Sequence, residues 1–450
     1  MNRITNILEK TDLSVGVFGL GESNLGAIRY LRQKNPSLRL TIRSDEEWID
    51  SSLDNASRCF LGKKALIDIT EDILLLSPSV KRERKEIVMA RKRGVIISSD
   101  AELFFSLYKS APIGVTGSDG KSTTTHLIAR AFTLSGIEAL PCGNYGKSLS
   151  SLLDKNTFPV AELSSFQLSY LKPKLSYAVI TNVTPNHLNW HLTLEDYILA
   201  KMNITKNAKK IIFDADSDIA SLHLGEREVF CKTSLLKGYR ELKAIGGSEN
   251  YVTHKDGIIY LNGSPLLDIS ESKRKESYNV RNFLLTASAC MEKCKLSGVR
   301  DAIVDFGGLP HRAELVLERK GLRFIDSSID SSPERTIKTL SSLDEKAVVI
   351  IGGKGKGLSL DKLAEELPRI SRASVLLGEV GANLKAILTE RSSDYEFISA
   401  ENMRDAIEKA IVISKGNGTI ILSPSATSFD SYKNFEERGN DFKRIVLSLY

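Results

Sequence analysis

The chain has 450 residues, of which 42% are apolar and 26% charged, a composition that excludes a disordered or low-complexity protein and allows several folded cores. Its formal charge of +6 is small for that length and comes without the clustered Lys/Arg footprint that nucleic-acid binding needs. The five cysteines form no C-x-x-C pair, which argues against a zinc site or a disulfide framework and fits a reducing compartment.

The opening segment MNRITNILEKTDL lacks an apolar signal core, and no apolar run reaches the roughly 18 residues of a membrane span, so a cytoplasmic protein without membrane contact is expected. SVGVFGLG (14–21), LRLTIRS (38–44) and DILLLSPS (72–79) read as strands separated by helix-length segments, the pattern of a parallel sheet. The turn Gly19-Leu20-Gly21-Glu22-Ser23-Asn24 holds two glycines of G-x-G-x-x-G and lacks the third. That is a weak dinucleotide signature, but it suits a backbone turn near a phosphate. The basic runs KRERK (81–85) and RKR (91–93) are expected on the solvated face of a helix.

A second block opens at SAPIGVTG (110–117) and contains GVTGSDGKSTTT (114–125). The phosphate-loop pattern G-x-x-x-x-G-K-[ST] asks for glycine where Val115 stands. The context is otherwise complete: a strand, a glycine turn, Gly-Lys-Ser, then the amphipathic helix THLIARAFTLSG (125–136). Thr116, Gly117, Ser118, Asp119, Gly120, Lys121, Ser122 and Thr123 are the nucleotide-binding candidates, with Lys121 reaching the β/γ oxygens and Ser122 ligating Mg²⁺. Glu162 then sits inside the apolar strand PVAEL, where an unpaired carboxylate is costly and a nearby cation would offset the cost. The next strand, in YAVITNVTPNHLNWH (177–191), leads to a loop bearing His187 and His191, and DYILAKMNITKNA (196–208) reads as a helix carrying Lys201. Cys290 and Cys294 are expected as buried thiols that could share a helix face. From GGLPHRAELV (307–316), whose glycines and proline mark a linker, the runs AVVIIGGKGKG (347–357), SVLLGEVG (374–381) and TIILSPSATSFD (419–430) read as buried parallel strands opening into loops. The expected fold class is α/β in three domains: a Rossmann-like N-terminal domain (1–108), a central P-loop ATPase-like parallel sheet (109–306) and a C-terminal Rossmann-like α/β domain (307–450).

Several of these segments resemble the Mur ligase family. The loop G-x-T-G-S-x-G-K-S-T, which explains the displaced glycine, is joined by E-L-S-S-F-Q-L (162–168), N-V-T-x-x-H-L-x-x-H (182–191), Y-x-x-A-K-x-x-I (197–204) and P-H-R-x-E (310–314). The run SPSATSFDSYKNFEERGNDF (423–442) is similar to that of the D-glutamate-adding branch. The resemblance implies an ATP-dependent amide ligase that joins D-glutamate to UDP-N-acetylmuramoyl-L-alanine through an acyl phosphate in peptidoglycan precursor synthesis, acting as a monomer. It also implies two Mg²⁺ ions held by Ser122, Glu162, His187 and a carbamylated Lys201, with Lys121 and His187 stabilising both chemical stages. Asn279 and Asn282 fall at adenine positions, Arg312 at a phosphate position and Asp326 at a further nucleotide contact. Ser23, Arg43 and Ser44 fall at UDP positions, Asn144 of GNYG at the muramoyl position, and Ser164 and His187 among the substrate contacts. Ser331, Lys356, Ser428 and the Phe435 backbone fall where the D-glutamate carboxylates are held. The family's metal-loop aspartates are Asn186 and Asn189 here, and the expected Asp of the 326–328 loop is Ser327. Two rivals stay open: another Mur or folylpolyglutamate-type ligase, and a non-catalytic nucleotide-binding homologue, which these departures keep in view.

Overall fold

Runs such as Val-Phe, Ile-Leu-Leu-Leu and Val-Val-Ile-Ile, too apolar for a sheet with one wet face, call for strands covered by helices on both sides. The computed structural model describes residues 3–45, 58–185, 187, 190–217, 219, 229–245, 248–355, 359–391, 394–426, 432 and 434–450. The chain divides into two units, Met1–Phe306 and Gly307–Tyr450.

The first unit holds two sheets. In the first, β1 (Ser14–Phe18), β2 (Arg39–Ser44), β3 (Arg58–Leu61), β4 (Ile73–Leu76) and β5 (Ile96–Ser98) are all parallel in the order β3-β2-β1-β4-β5. The order reverses between β1 and β4, so the loops after those two strands flank the crevice where such sheets take ligands. Of KRERK, expected on a helix, only Lys85 lies on one. The helix is Lys85–Lys92, and Lys81, Arg82 and Arg84 stand in the turn before it. Contacts to Glu102 and Tyr170 hold Arg82 there, and contacts to Asp45 and Phe18 hold Arg84.

The second sheet has nine strands in the order β14-β13-β12-β11-β10-β9-β6-β8-β7. Its parallel strands are β6 (Ile113–Thr116), β7 (Ala139–Gly143), β8 (Phe158–Glu162), β9 (Lys174–Ile180), β10 (Asn207–Asp214), β11 (Val229–Ser234) and β12 (Ser248–Lys255). β13 (Ile258–Leu261) and β14 (Ser264–Asp268) close one edge as an antiparallel hairpin, turned at Asn262-Gly263 with both residues at positive φ. The helix Lys121–Leu134 buries Leu127, Ile128, Ala131 and Phe132, as its spacing predicts, but Leu134, expected on the same face, is exposed in its last turn. The helix Ser277–Cys290 ends at its cysteine, so Cys294 lies in the turn beyond it.

Within this unit the two sheet layers are locked together. Asp100, at the start of the helix Asp100–Leu107, accepts backbone N–H groups from Leu149 and Ser150 at 3.1 and 3.0 Å. Gly26 touches Ser148 so closely that an added Cβ would stand 1.7 Å from its hydroxyl.

In the second unit, β15 (Glu314–Arg319) pairs antiparallel with β16 (Leu322–Asp326). The segment read as a linker therefore already enters the sheet. β17 (Ala347–Gly352), β18 (Ser371–Leu377), β19 (Glu396–Ser399) and β20 (Gly418–Leu422) complete the order β15-β16-β20-β17-β18-β19. Buried apolar clusters lie on the two faces, one around Leu363, Leu367 and Leu384, the other around Phe324, Ile407 and Phe442. Among the described residues no helix is long and apolar enough to cross a membrane.

Candidate active site

β6 lies between β8 and β9, in register at Val115 with Glu162 and Val179, so three adjacent parallel strands end side by side. Their carboxyl ends carry the phosphate loop, Glu162 and the loop that reaches His187. This is the crevice end of a parallel sheet.

The loop is shaped by its neighbours. Gly117 has φ +150° and Gly120 φ +77°; a Cβ on the first would stand 1.9 Å from the Thr181 hydroxyl, and on the second 2.2 Å from Oδ1 of Asn282. Ser118 N–H donates to the Asn182 carbonyl at 2.9 Å, its Oγ accepts from Thr184 N–H at 2.9 Å and lies 2.8 Å from the Tyr197 hydroxyl, and Asp119 N–H donates to Asn182 Oδ1 at 2.9 Å. Thr116 Oγ1 donates to the Leu163 carbonyl. Thr116 and Ser118 thus use their hydroxyls to fix the loop, not to meet a phosphate. Lys121 curls back to donate to the Ser118 carbonyl at 2.8 Å. Ser122 and Thr123 occupy the first turn of the following helix, where amides and helix dipole favour an anion. Asn282 supports this loop through Thr124 at 3.3 Å, while Asn279 donates to Glu276.

Glu162 is buried. Its Oε1 accepts from Asn144 Nδ2 at 2.7 Å, and its Oε2 has no partner. A carboxylate oxygen left bare in the interior is what a hard cation would complete. Lys201 is equally buried, donating to the Gly117 carbonyl at 2.6 Å. Burial, then the charge of Lys121, holds its amine well below the ordinary lysine range. His187 stands exposed at the crevice with φ +54°. Partial desolvation against the crevice wall and the charges of Lys201 and Lys121 lower its pKa, which favours the neutral, metal-binding imidazole. The side chains present therefore fit a Mg²⁺ ion.

His191 is a different kind of residue. It is buried, bonded through Nε2 to Ser165 Oγ at 2.9 Å, and pushed down to about 4, chiefly by burial. Ser164 caps the short helix Ser165–Leu168 in a reciprocal capping box with Gln167. Arg43 also departs from expectation. It is fully buried, with its guanidinium bonded to Glu71 and to the carbonyls of Ala65, Ile67 and Asp68, because a buried cation must be paired on every side. It is a structural tie and not a UDP ligand. Ser44 is buried at the end of β2, and Ser23 lies in the first turn of the helix Glu22–Lys34.

A family model described as the Mur ligase middle domain matches residues 115–290, the span that carries this crevice. Proteins named UDP-N-acetylmuramoylalanine--D-glutamate ligase are similar along the whole chain: that of Clostridium tetani is 32% identical over 100% of both chains, and that of Acetivibrio thermocellus 33% identical over 97% of this chain and 96% of its own. The chain belongs to the Mur ligase family. The fold agrees, since the UDP-N-acetylmuramate-alanine ligase of Thermotoga maritima covers 97% of this chain and 100% of its own with a TM-score of 0.56 at 20% identity.

The Mur ligase segments of the second unit have clear structural work. Asp326 is buried, accepting from His311 Nδ1 at 2.7 Å and from Ser328 N–H at 2.9 Å. Its carboxylate is thus committed inside the unit, which corrects its assignment as a nucleotide contact; Ser327 beside it is buried as well. Arg438 is buried and donates to Ser328 Oγ and to the carbonyls of Ser328 and Ala426. Gly439 lets the last helix touch the His311–Asp326 pair: a Cβ there would lie 2.1 Å from His311 Nδ1 and 2.6 Å from Asp326 Oδ2. Arg312 is exposed on the same strained loop, between His311 at φ +59° and Ala313 at φ +48°. Ser331 N–H donates to the Ile329 carbonyl, and the Phe435 carbonyl accepts from Ser328 Oγ. Lys356 and Ser428, and the departures Asn186 and Asn189, lie outside the described residues. Sequence reading passed over Ser165, Phe166, Asn182, Trp190 and Tyr197, which hold the crevice in shape. The recurrence of aromatics beside these segments (F-Q-L, N-W-H, D-Y-I) is the signal the sequence carries.

Proposed function

We propose that this chain is an ATP-dependent acid–amino-acid ligase that adds D-glutamate to UDP-N-acetylmuramoyl-L-alanine through an acyl phosphate, acting as a cytoplasmic monomer in peptidoglycan precursor synthesis. The observation that carries the reading is the bare Glu162 oxygen beside buried Lys201 at a Gly-Lys-Ser loop, in a chain whose full-length relatives bear that name. In this reading residues 1–108 take the UDP moiety, 109–306 take ATP and Mg²⁺, and 307–450 take D-glutamate.

Bound Mg²⁺ would neutralise charge on the transferring phosphoryl group, and Ser122, Glu162, His187 and Lys201 would hold two such ions. Lys201 would contribute as a carbamate. Its depressed pKa favours the neutral amine, and only the neutral amine attacks CO₂; the N–C bond forms, the amine proton passes to solvent, and the side chain becomes an anionic oxygen ligand. Lys121 would leave the Ser118 carbonyl for the β/γ oxygens of ATP as the substrate carboxylate attacks the γ-phosphorus and ADP departs. The amine of D-glutamate would then attack the acyl carbon, lose its proton, and expel phosphate, with Lys121 and His187 beside the developing charge. Asn279 and Asn282 would face adenine, Arg312 a phosphate, and Ser331, Lys356, Ser428 and the Phe435 backbone the D-glutamate carboxylates.

Phosphate release with UDP-N-acetylmuramoyl-L-alanine, MgATP and one amino acid at a time tests the reading. D-glutamate alone should support turnover. Turnover with meso-diaminopimelate, L-lysine or a folate glutamate acceptor would assign another ligase of the family, and none with any acceptor would point to a non-catalytic homologue.

A further inference from the structure

Trp190 stands where two crevices meet. Its indole N–H donates to the Ser79 carbonyl at 2.8 Å, and Lys81 lies over its ring at 5.5 Å. Ser79 belongs to the loop after β4, and the same loop forms a wall of the β1/β4 crevice: Ser77 packs so tightly on Gly19, at φ +85°, that a Cβ there would stand 2.4 Å from its hydroxyl. On its other side Trp190 packs on Phe166 at 4.8 Å and His191 at 4.6 Å, and Phe166 meets the His187 ring edge-on at 5.0 Å. The backbone N–H groups of Trp190 and His191 both donate to the His187 carbonyl at 3.0 Å. The wall of one site and the imidazole of the other are thus joined by one hydrogen bond and a chain of packed rings.

We infer that Trp190 is a positioning residue that couples occupancy of the β1/β4 crevice by a uridine diphosphate group to binding of a divalent cation at Glu162 and His187. The inference rests on the proposed function for the identity of both ligands. Close-packed rings transmit displacement because they have no free volume in which to absorb it. A diphosphate that shifts the Ser77–Ser79 loop therefore moves the indole, and with it Phe166 and the His187 loop. Coupling of this kind is reciprocal, so each ligand must change the affinity of the other by the same factor.

Calorimetry with Mn²⁺ and UDP tests this without catalysis. Wild-type protein should bind Mn²⁺ about fivefold or more tightly when saturated with UDP, and UDP tighter by the same factor in Mn²⁺. Trp190→Phe keeps the packing but lacks the N–H donor, and Phe166→Leu keeps the donor but breaks the ring contact; both should lose the coupling, whatever the affinity of each variant for either ligand alone. The chain has two tryptophans, so in a Trp48→Phe background the emission of Trp190 should shift on adding UDP. Independent binding in wild type, coupling that survives both substitutions, or emission indifferent to UDP overturns the inference while leaving the ligase reading intact. Failure to bind either ligand defeats both.

Discussion

Glu162 and Lys201 are buried within the reach of each other's charge, yet each is only partly matched by protein: one carboxylate oxygen is bare, and the amine has one carbonyl. A carbamate at Lys201 would add an oxygen ligand beside the Glu162 carboxylate. Lys201→Ala should therefore lower turnover by about a hundredfold or more, and added acetate or propionate should restore part of it by filling the vacated volume with a carboxylate. A rate that survives the substitution, or a mutant indifferent to carboxylates, would remove the carbamate role; a ¹³C-carbamate NMR resonance from ¹³CO₂-equilibrated wild type that is absent from the variant checks the modification itself. Asn144, which falls at the muramoyl position, also aims Glu162 through its 2.7 Å hydrogen bond. Asn144→Ala should raise the Mg²⁺ concentration needed for half-maximal rate by about tenfold, the usual cost of freeing a ligand from its support.

At the level of elements, short motifs prove to be packing instructions as much as chemistry. In E-L-S-S-F-Q-L, Glu162 ends a strand, Ser164 and Gln167 cap the following turn, Ser165 anchors His191, and Phe166 packs on His187. In F-E-E-R-G, Arg438 ties three groups of the 328–426 region and Gly439 admits the His311–Asp326 pair. Gly439→Ala should destabilise the chain by about 1–3 kcal/mol through overpacking, read as a lower urea midpoint at unchanged m-value. Strand-turn-helix order, the phosphate loop, and the odd carboxylate in an apolar strand were legible in the sequence, because period, glycine placement and the cost of burying charge are local properties. The work of Arg43 and Asp326 was not. Each is decided by partners 15 or more residues away in the chain, Glu71 for one and His311 for the other, which no local pattern announces. Likewise Lys81–Arg84 carry a helical charge pattern yet are drawn into a turn by tertiary contacts.

Across the first unit, Asp100 joins the two sheet layers and is the titrating element of that joint. Burial raises its carboxyl to about 6, against two backbone and one side-chain hydrogen bond that lower it. An acid whose folded pKa exceeds its unfolded value contributes stability below about pH 4, and that contribution is lost as pH rises through about 6. The melting-temperature advantage of wild type over Asp100→Asn should accordingly be greatest near pH 4 and shrink toward pH 7; a difference flat across that window would show that the joint does not titrate. The Gly-Lys-Ser crevice of the same unit differs in kind, because the protein itself binds its loop on several sides: Ser118 to Asn182, Thr184 and Tyr197, Asp119 to Asn182, Gly117 to Lys201. Such a cradle surrenders little disorder when it captures an anion. Its selectivity must then come from rejecting ill-fitting polyphosphates rather than from moulding itself around them, and a mimic one oxygen too short would meet a cavity that does not shrink to hold it.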